Sequence, residues 1–456
     1  MQPNRREFLQ TTVGAASLAA AGASAAGVNA VGQTRPQSRR PNVLWLISED
    51  MGQQLGCYGF PIATPNVDRL AREGMQFNRA FCSSPICSPS RSAFTTGMYA
   101  TTIGAQDHRT PEDQKRPLPE GVKIAPHWFR DAGYHTCLPG TNKTDWNFRH
   151  GQKIGDAYDS TDWADRAPGQ PFFAMFNFGE PHRWVWDRWP DLPFHHDPAT
   201  VPVPPIYPDA PVMRESIGKY MDFIVEMDRK LGLVLDRLEA EGELDNTIIF
   251  YFGDNGRTIY RGKQWLYDEG LNVPLIARHP DWFAPGSIND DLVSLIDLLP
   301  TSLSMVGEPV PDKMQGRVLF GDNAAPPAEY VFASRDTSDE VPDRIRSVRD
   351  KRYKYIRNYR PELGYPDSPY VLKTHPEYSE ARGLHYDDAL NEAQSLFFQE
   401  RKPTVELYDL QADPYETENL AENPDFAGVL RRMSEALDGW IATSGDVVLN
   451  QSDARE

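Results

Sequence analysis

Apolar runs of strand length recur along the chain and alternate with stretches of helical period. Residues 43–48 (VLWLIS) are apolar without alternation and stop abruptly at Glu49-Asp50-Met51-Gly52, the pattern of a strand buried on both faces. In 65–74 (PNVDRLAREG), Val67, Leu70 and Ala71 fall at helical spacing, and Gly74 stands where a helix would end. The spacing predicts a helix over 124–132, a short strand over 134–138 and a second buried strand over 172–178 (FFAMFNF). Helical period runs through 215–240, a third apolar strand follows at 247–252 (TIIFYF), and 293–306 reads as a helix broken or kinked at Pro300. Past residue 325 come short alternating strands (IRSVRD, YKYIRNY), a polar irregular stretch and a final helix near 428–442. Strands alternating with helices imply an α/β fold. Its centre is a large, mainly parallel (mixed) sheet flanked by helices, joined to a smaller C-terminal subdomain of antiparallel strands plus a helix.

Composition narrows the classes. With 456 residues, 40% hydrophobic and 25% charged, the chain has room for two or three domains and is neither a disulfide-stapled miniprotein nor globally disordered. The 39 prolines point to a loop-rich body, and no apolar run beyond the leader is long enough to cross a bilayer. A net charge of -18 argues against a nonspecific nucleic-acid binder, so any polyanionic substrate must meet a local basic pocket. The four cysteines (Cys57, Cys82, Cys87, Cys137) have neither CxxC nor zinc-finger spacing, which excludes a disulfide framework and a structural zinc site.

The chain begins MQPNRREFLQTTVGAASLAAAGASAAGVNA. Arg5 and Arg6 precede Phe8, Leu9 and a weakly hydrophobic Ala/Gly-rich stretch, the pattern of a bacterial twin-arginine export signal. Ala23-Ser24-Ala25 and Val28-Asn29-Ala30 both suit cleavage. The expected destination is periplasmic or exterior, reached as a folded protein through the twin-arginine translocase.

In open parallel α/β sheets the ligand site lies beyond the carboxyl ends of the strands. The first strand is followed by Glu49 and Asp50, the second by Gly179-Glu180-Pro181-His182 and the third by Gly253-Asp254-Asn255-Gly256. Glu49, Asp50, Asp254 and Asn255 form an oxygen-only set suited to a hard cation, although Asp, Asn and Gly are also ordinary turn residues. In 85–97 (PICSPSRSAFTTG), Pro89, Ser90 and Arg91 place Cys87 at a helix start, where N–H groups and Arg91 favour an anion and a thiol would be acidified. His195-His196 beside Asp197 resembles a metal cluster only superficially, because adjacent side chains diverge in an extended segment; a surface loop is expected.

CSPSR matches the CxPSR hallmark of the formylglycine-dependent sulfatases (type I, alkaline phosphatase superfamily), and the chain resembles this family nearly from end to end. The matching pieces, in order, are PNVLWLISEDMG, TPNVDRLAREGMQF, SPICSPSRSAFTTG, FFAMFNFGEPH, YFGDNG, RGKQWLYDEGLNVPLI, LVSLIDLLPT and ELYDLQADPYETENLA. The resemblance implies a signal and linker over 1–35, a catalytic domain over 36–325 and a C-terminal subdomain over 326–456 that completes the cleft. It implies Ca2+, in preference to Mg2+, on Glu49, Asp50, Asp254, Asn255 and the modified Cys87, which a maturase converts to formylglycine. Cys87 as the aldehyde hydrate would be nucleophile, with Arg91 holding it, and Lys143, His182 and Lys263 would grip the sulfate and protonate the leaving oxygen.

Two positions depart from the family pattern. Glu49 stands where Asp is usual, a longer arm with the same ligand atom. The stretch that commonly reads GKWH reads NKTD here, so Lys143 is kept and Asp145 takes the usual histidine's place. The base for sulfate release is then Asp145, or His108 of GAQDHR. The implied activity is hydrolysis of sulfate esters, most plausibly on sulfated polysaccharides or oligosaccharides. The alternatives are an N-sulfoglucosamine sulfohydrolase, a phosphodiesterase or phosphonate monoester hydrolase on the same scaffold, and a silent sulfated-glycan-binding protein. After His182, Arg183, Trp184, Trp186 and Trp189 form either a sugar-stacking wall or packing groups. Arg335, Arg344 and Arg346 either contact further sulfates or line a solvated face.

Overall fold

The apolar runs become the centre of one mixed sheet in the computed structural model. Its strands are β1 (Asn42–Ser48), β2 (Met75–Phe81), β3 (His135–Cys137), β4 (Phe172–Phe178), β5 (Thr247–Gly253), β6 (Asn272–Arg278), β7 (Ser287–Asn289) and β8 (Val293–Ser294), ordered β3-β4-β1-β5-β6-β2-β7 with β8 beside β2. β3, β4, β1 and β5 pair in parallel, whereas β6 runs antiparallel to both β5 and β2. The structure describes residues 39–449 except 141–142, 151–153, 187–191, 193–194, 340 and 366–367. The leader and Trp189 therefore lie outside the described residues.

The unbroken apolar runs are explained by burial on both faces. Along β1, Val43, Trp45 and Ile47 enter one core while Leu44 and Leu46 enter the other, as the period of two requires. Helix α1 (Pro65–Glu73) and the 30-residue helix Pro211–Ala240 cover the Leu44 face with Val67, Leu70, Phe223, Ile224, Met227 and Leu231. Helices α2 (Cys87–Thr96) and α3 (Ala125–Asp131) and the helix Leu298–Met305 cover the other. There Trp45 meets Phe94, Phe173 and Phe252 edge-on at 5.3–6.1 Å, each contact worth about 0.5–1.5 kcal/mol beyond area burial.

The chain departs from its periodicity in three places. β2 and β6 were not expected as strands, because β2 (MQFNRAF) is half polar and β6 carries Pro274 in its interior. A proline fits between two neighbours only where a ladder bond is missing. The register shift between Phe77 and Ala80 supplies that gap, and Tyr58 and Gln53 fill it, with Tyr58 Oη donating toward Phe77 O (3.1 Å) and Leu275 O (3.0 Å). The segment 293–306 is not one kinked helix. Strand β8 and a 3-10 turn precede the helix, so Pro300 sits in its first turn, where no N–H is needed.

The C-terminal strands number four: β9 (Val331–Arg335), β10 (Ile345–Arg349), β11 (Tyr353–Asn358) and β12 (Val405–Asp409), antiparallel in the order β12-β11-β10-β9. The helix Ala427–Ser444 lays Met433, Leu437 and Trp440 on Val348, Tyr355 and Leu407. The polar stretch between β11 and β12 holds the helices Pro369–Thr374 and Pro376–Tyr386. Residues from Arg40 onward cluster as one compact unit. Arg335 and Arg346 line no solvated face: both are buried, Arg335 on Asp343 (2.6 Å) and Arg346 between Asp446 (2.7 Å) and Asp336 (2.9 Å). Arg344 is part-exposed and 3.5 Å from Asp336.

Removing one partner of a buried ion pair strands the other charge out of water. Arg346→Ala, which leaves two buried carboxylates without their cation, is expected to cost about 3–5 kcal/mol, read as a lowered urea midpoint. An unchanged midpoint would contradict this account of Arg346.

Candidate active site

Register brings the site together. Ser48 of β1 lies opposite Phe178 of β4 and Gly253 of β5, so the residues that leave these three strands emerge at one level. A side chain at Gly253 would collide with the Met51 carbonyl, and one at Gly256 with the backbone of Glu269 and Gly270. The two glycines let the Asp254-Asn255 turn close onto the end of β1. Asp50 takes a left-handed conformation (φ 50°), its N–H donating to Asp254 Oδ1 at 3.0 Å and its carbonyl accepting from Tyr220 Oη at 2.9 Å. Asp50, Asp254 and Asn255 are fully buried, and Glu49 nearly so.

Cys87 is the first residue of α2 and is fully buried, with Sγ 3.7 Å from Asp50 Oδ1. Among the described residues, single ligand atoms of Asp50, Cys87 and His182 all lie within 4.8 Å of one another. The expected acidified thiol is not found. Burial pushes the Cys87 thiol up to about 12, overriding Lys143 and Lys263. A helix start favours a thiolate only where the charge can be solvated, and here it cannot.

Arg91 is held more firmly than the sequence suggested. Its Nε donates to Asp254 Oδ2 (2.8 Å) and Nη1 to Asn177 Oδ1 (2.7 Å), which leaves Nη2 buried, 3.9 Å from Glu49 and without a hydrogen-bond acceptor among the described residues. Asn177 escaped sequence reasoning; its signal is the one polar side chain inside FFAMFNF. It also donates to the Lys143 carbonyl at 3.1 Å, fixing that loop. Ser90 Oγ donates to the Asp254 carbonyl at 2.5 Å.

Lys143 Nζ donates to Glu49 Oε2 at 2.5 Å and lies 3.6 Å from Asp145. Lys263 Nζ contacts both oxygens of Asp50 at 2.8 and 2.9 Å and is 3.3 Å from His182 Nε2. Burial works against all of these charges. It pushes the Glu49 carboxyl up, whereas at Asp50 the charge of Lys263 and its hydrogen bond outweigh it and hold that carboxyl below its usual range. Burial, reinforced by Lys263, keeps the His182 imidazole neutral.

The two residues expected to compete as base lie in one corner. Asp145 (φ 51°) is 3.9 Å from Arg109, and burial is outweighed by Lys143 and Arg109, so its carboxyl lies below the usual range. His108 is buried, with Nδ1 2.8 Å from Asp339 Oδ1, and burial holds its imidazole neutral. Asp339 was not singled out from the sequence. It has a left-handed backbone (φ 44°) and accepts from Gln264 Nε2 at 2.5 Å, while Gln264 N donates to the Pro85 carbonyl at 2.6 Å. Positive φ at Asp50, Arg109, Asp145, Gln264 and Asp339 concentrates backbone strain around this site, as functional constellations do.

The remaining expectations divide. His195 and His196 do not diverge: their Nδ1 atoms reach the two oxygens of Asp222 at 3.3 and 2.7 Å, and His195 is exposed. Of the aromatic wall, Trp186 is buried against Phe223 beneath Arg183, whereas Trp184 is 43% exposed and edge-on to His182. A metal ion would suit the donor set at the strand ends. Asn255 Oδ1 is buried beside three buried carboxylates with no hydrogen-bond partner among the described residues, and an amide oxygen with carboxylates is hard-cation chemistry.

A Sulfatase family model matches residues 41–162 and 157–308, and an "N-sulphoglucosamine sulphohydrolase, C-terminal" model matches 256–366. An ulvan-active sulfatase of Formosa agariphila is 36% identical over 89% of this chain and 76% of its own length. Human N-sulphoglucosamine sulphohydrolase is 28% identical over 89% of this chain and 90% of its own. Among solved structures, a 2-O GAG sulfatase superposes with a TM-score of 0.66 at 21% identity, covering 89% of this chain and 93% of that one.

Burial of the thiol has a direct consequence. In protein made without a maturase, Cys87 is expected to resist iodoacetamide at pH 8 in the native state and to react once the chain is unfolded in guanidinium. Peptide mass mapping reads both, and rapid native labelling at Cys87 would contradict the burial.

Proposed function

The chain belongs to the sulfatase family and is a sulfuric ester hydrolase, and on that premise we propose that it removes sulfate from polysaccharides or their oligosaccharides. The observation that carries this reading is the convergence on Cys87 of Asp50, Lys263 and His182 at the end of β1 and β4, within a chain 36% identical to an ulvan-active sulfatase. A second reading, cleavage of N-sulfated glucosamine, is favoured by the family match over 256–366 and by the human relative. Sulfamate and sulfate ester present similar anions to the same residues.

In the proposed chemistry, Cys87 converted to the formylglycine hydrate would supply the attacking oxygen, and Glu49, Asp50, Asp254, Asn255 and the converted residue would hold a cation, calcium in preference to magnesium, whose contribution when bound would be Lewis-acid polarisation. The rest falls to the chain itself. Arg91, locked by Asp254 and Asn177, orients residue 87 from one turn along the helix and offers Nη2 to an oxygen beside it. Lys143 and Lys263 enter the site as cations from opposite carboxylates, placed to neutralise the sulfate oxygens. Lys263 has the proton to give to the leaving alcohol, and neutral His182 at 3.3 Å steadies the ammonium.

For release of sulfate, the geometry favours His108 over Asp145 as base. Asp145 faces Lys143 at 3.6 Å and Arg109 at 3.9 Å, whose charges lower its affinity for a proton. His108 is neutral, the Asp339 carboxylate lies 2.8 Å from its Nδ1 and favours the proton there, and Nε2 is buried with no hydrogen-bond partner among the described residues. Asp339 comes from 326–456, which supports the reading of that part of the chain as the subdomain that completes the cleft.

Among the described residues no helix is long and apolar enough to cross a membrane. The Arg5-Arg6 leader pattern supports export as a folded bacterial protein to the periplasm or beyond, after a formylglycine-generating maturase has acted on Cys87.

The deciding experiment uses protein co-expressed with such a maturase. The tryptic peptide 80–91 is expected to carry an aldehyde, lighter than the thiol. Sulfate release is expected from ulvan oligosaccharides or N-sulfoglucosamine and from 4-nitrophenyl sulfate, with phenylphosphonate esters cleaved far more slowly. Cys87→Ala should abolish turnover. Retained turnover would sink the mechanism, phosphonate preference would move the chain to the other activity, and an unconverted, inactive Cys87 would favour a glycan-binding role. His108→Ala is expected to lower kcat by about 10²–10⁴, the usual share of a general base, and Asp145→Asn by much less. The reverse order, in stopped assays of sulfate release, would make Asp145 the base.

A further inference from the structure

The helix Pro369–Thr374 and the turn after it lie in the stretch that reads as irregular in sequence, yet they are bolted to the residues of the site. Arg183, directly after His182, donates from Nε to the Thr374 carbonyl (2.6 Å) and from Nη2 to Glu377 Oε2 (2.7 Å). Ser216 on the long helix donates to the same carboxylate oxygen at 2.9 Å. Ser368 Oγ accepts from Val371 N at 3.0 Å, and Thr374 Oγ1 donates to the Tyr370 carbonyl at 2.7 Å. The segment cannot drift relative to His182 without breaking a buried ion pair.

What this rigid segment presents is Tyr370. Its side chain lines a cavity together with Lys263, Gln264 and His375, and the charges of Lys263, Asp50 and Asp339 bear on it. The phenol oxygen is out of water and has no hydrogen-bond partner among the described residues. An unpaired buried hydroxyl costs about 1–3 kcal/mol, and a fold that holds one rigidly beside its proposed proton donor has left a place for a ligand. Neighbouring His375 does not claim it, because its Nδ1 is paired with Thr374 Oγ1 at 2.8 Å.

We propose that Tyr370 is a substrate-specificity residue whose hydroxyl donates a hydrogen bond to the sugar bearing the sulfate, on the leaving-group side marked by Lys263. The inference rests on the sulfatase reading above and deepens it. The anion itself is gripped by the lysines, so the phenol reads the carbohydrate and not the sulfate. A sugar-free aryl sulfate offers no hydroxyl there and gains nothing from it.

The test is Tyr370→Phe in the matured enzyme, a change that keeps the ring and its packing. On whichever of ulvan oligosaccharides and N-sulfoglucosamine the wild type cleaves, KM is expected to rise about tenfold with kcat within about threefold, the loss of one hydrogen bond of about 1.4 kcal/mol. KM for 4-nitrophenyl sulfate and inhibition by inorganic sulfate should change by less than about twofold, since neither presents a sugar hydroxyl to pair. An unchanged KM for the sugar overturns the inference, and so does an equal rise for the aryl ester. A wild type that cleaves the aryl ester and neither sugar also overturns it, while one that cleaves no sulfate ester at all brings down the sulfatase reading and this inference together. An equal thermal midpoint in the two proteins shows that the comparison is between folded enzymes.

Discussion

Three carboxylates, Glu49, Asp50 and Asp254, are buried at one edge of the sheet, and their mutual repulsion is what the surrounding structure has to answer. Like charges held out of water repel far more strongly than they would in bulk solvent, because less dielectric lies between them to screen them. The fold answers with three cations brought from three places in the sequence: Arg91 from α2, Lys143 from the loop after β3 and Lys263 from the loop after β5. Each carboxylate has its own partner. Buried pairs of this kind add little net stability, but they are intolerant of the loss of either member, so geometry is conserved by energy once it is set.

That arrangement explains why the nucleophile position is unsuited to act as a plain thiol. The same burial that makes the ion pairs strong makes a thiolate expensive, and Cys87 sits among charges already matched to one another. A hydrated aldehyde there would offer a neutral hydroxyl, which needs no solvation as an anion before it is used. The sealed, charge-balanced pocket therefore favours a nucleophile that is activated only when the substrate arrives.

Much of this was legible in the chain because it lies next to long apolar runs. Continuous apolar stretches gave β1, β4 and β5, and the residues that follow them are the ones that meet. What periodicity could not give depends on pairs distant in sequence. β6 was hidden by Pro274, whose missing donor matters only in the light of a bulge about 195 residues earlier in β2. Asn177 lay in plain view inside FFAMFNF, but its meaning depends on Arg91, which faces it across the site. Asp339 and Tyr370 carry no local signal at all: one is a loop acid that reaches His108, the other a tyrosine on a six-residue helix whose position is set by Arg183. Cys87 was rightly placed at a helix start and wrongly taken as acidic, because sequence shows the helix and not the depth of burial.

The departure at residue 49 fits the same electrostatic account. A glutamate's extra methylene carries its carboxylate to Lys143 at 2.5 Å, while the guanidinium of Arg91 stays 3.9 Å away and keeps Nη2 without an acceptor. Burial nevertheless pushes the Glu49 carboxyl up while Asp50 is held below its usual range, so of these two Glu49 has more to gain from added positive charge. With His182 neutral, the three carboxylates and three cations sum to zero. A divalent cation alone would leave the buried pocket strongly positive, and a sulfate ester alone would leave it negative, so each lowers the electrostatic cost of the other. Coupling of that kind follows from the balance of the chain's own charges, and it confines a strongly polarising environment to the moment when metal and anion are both in place.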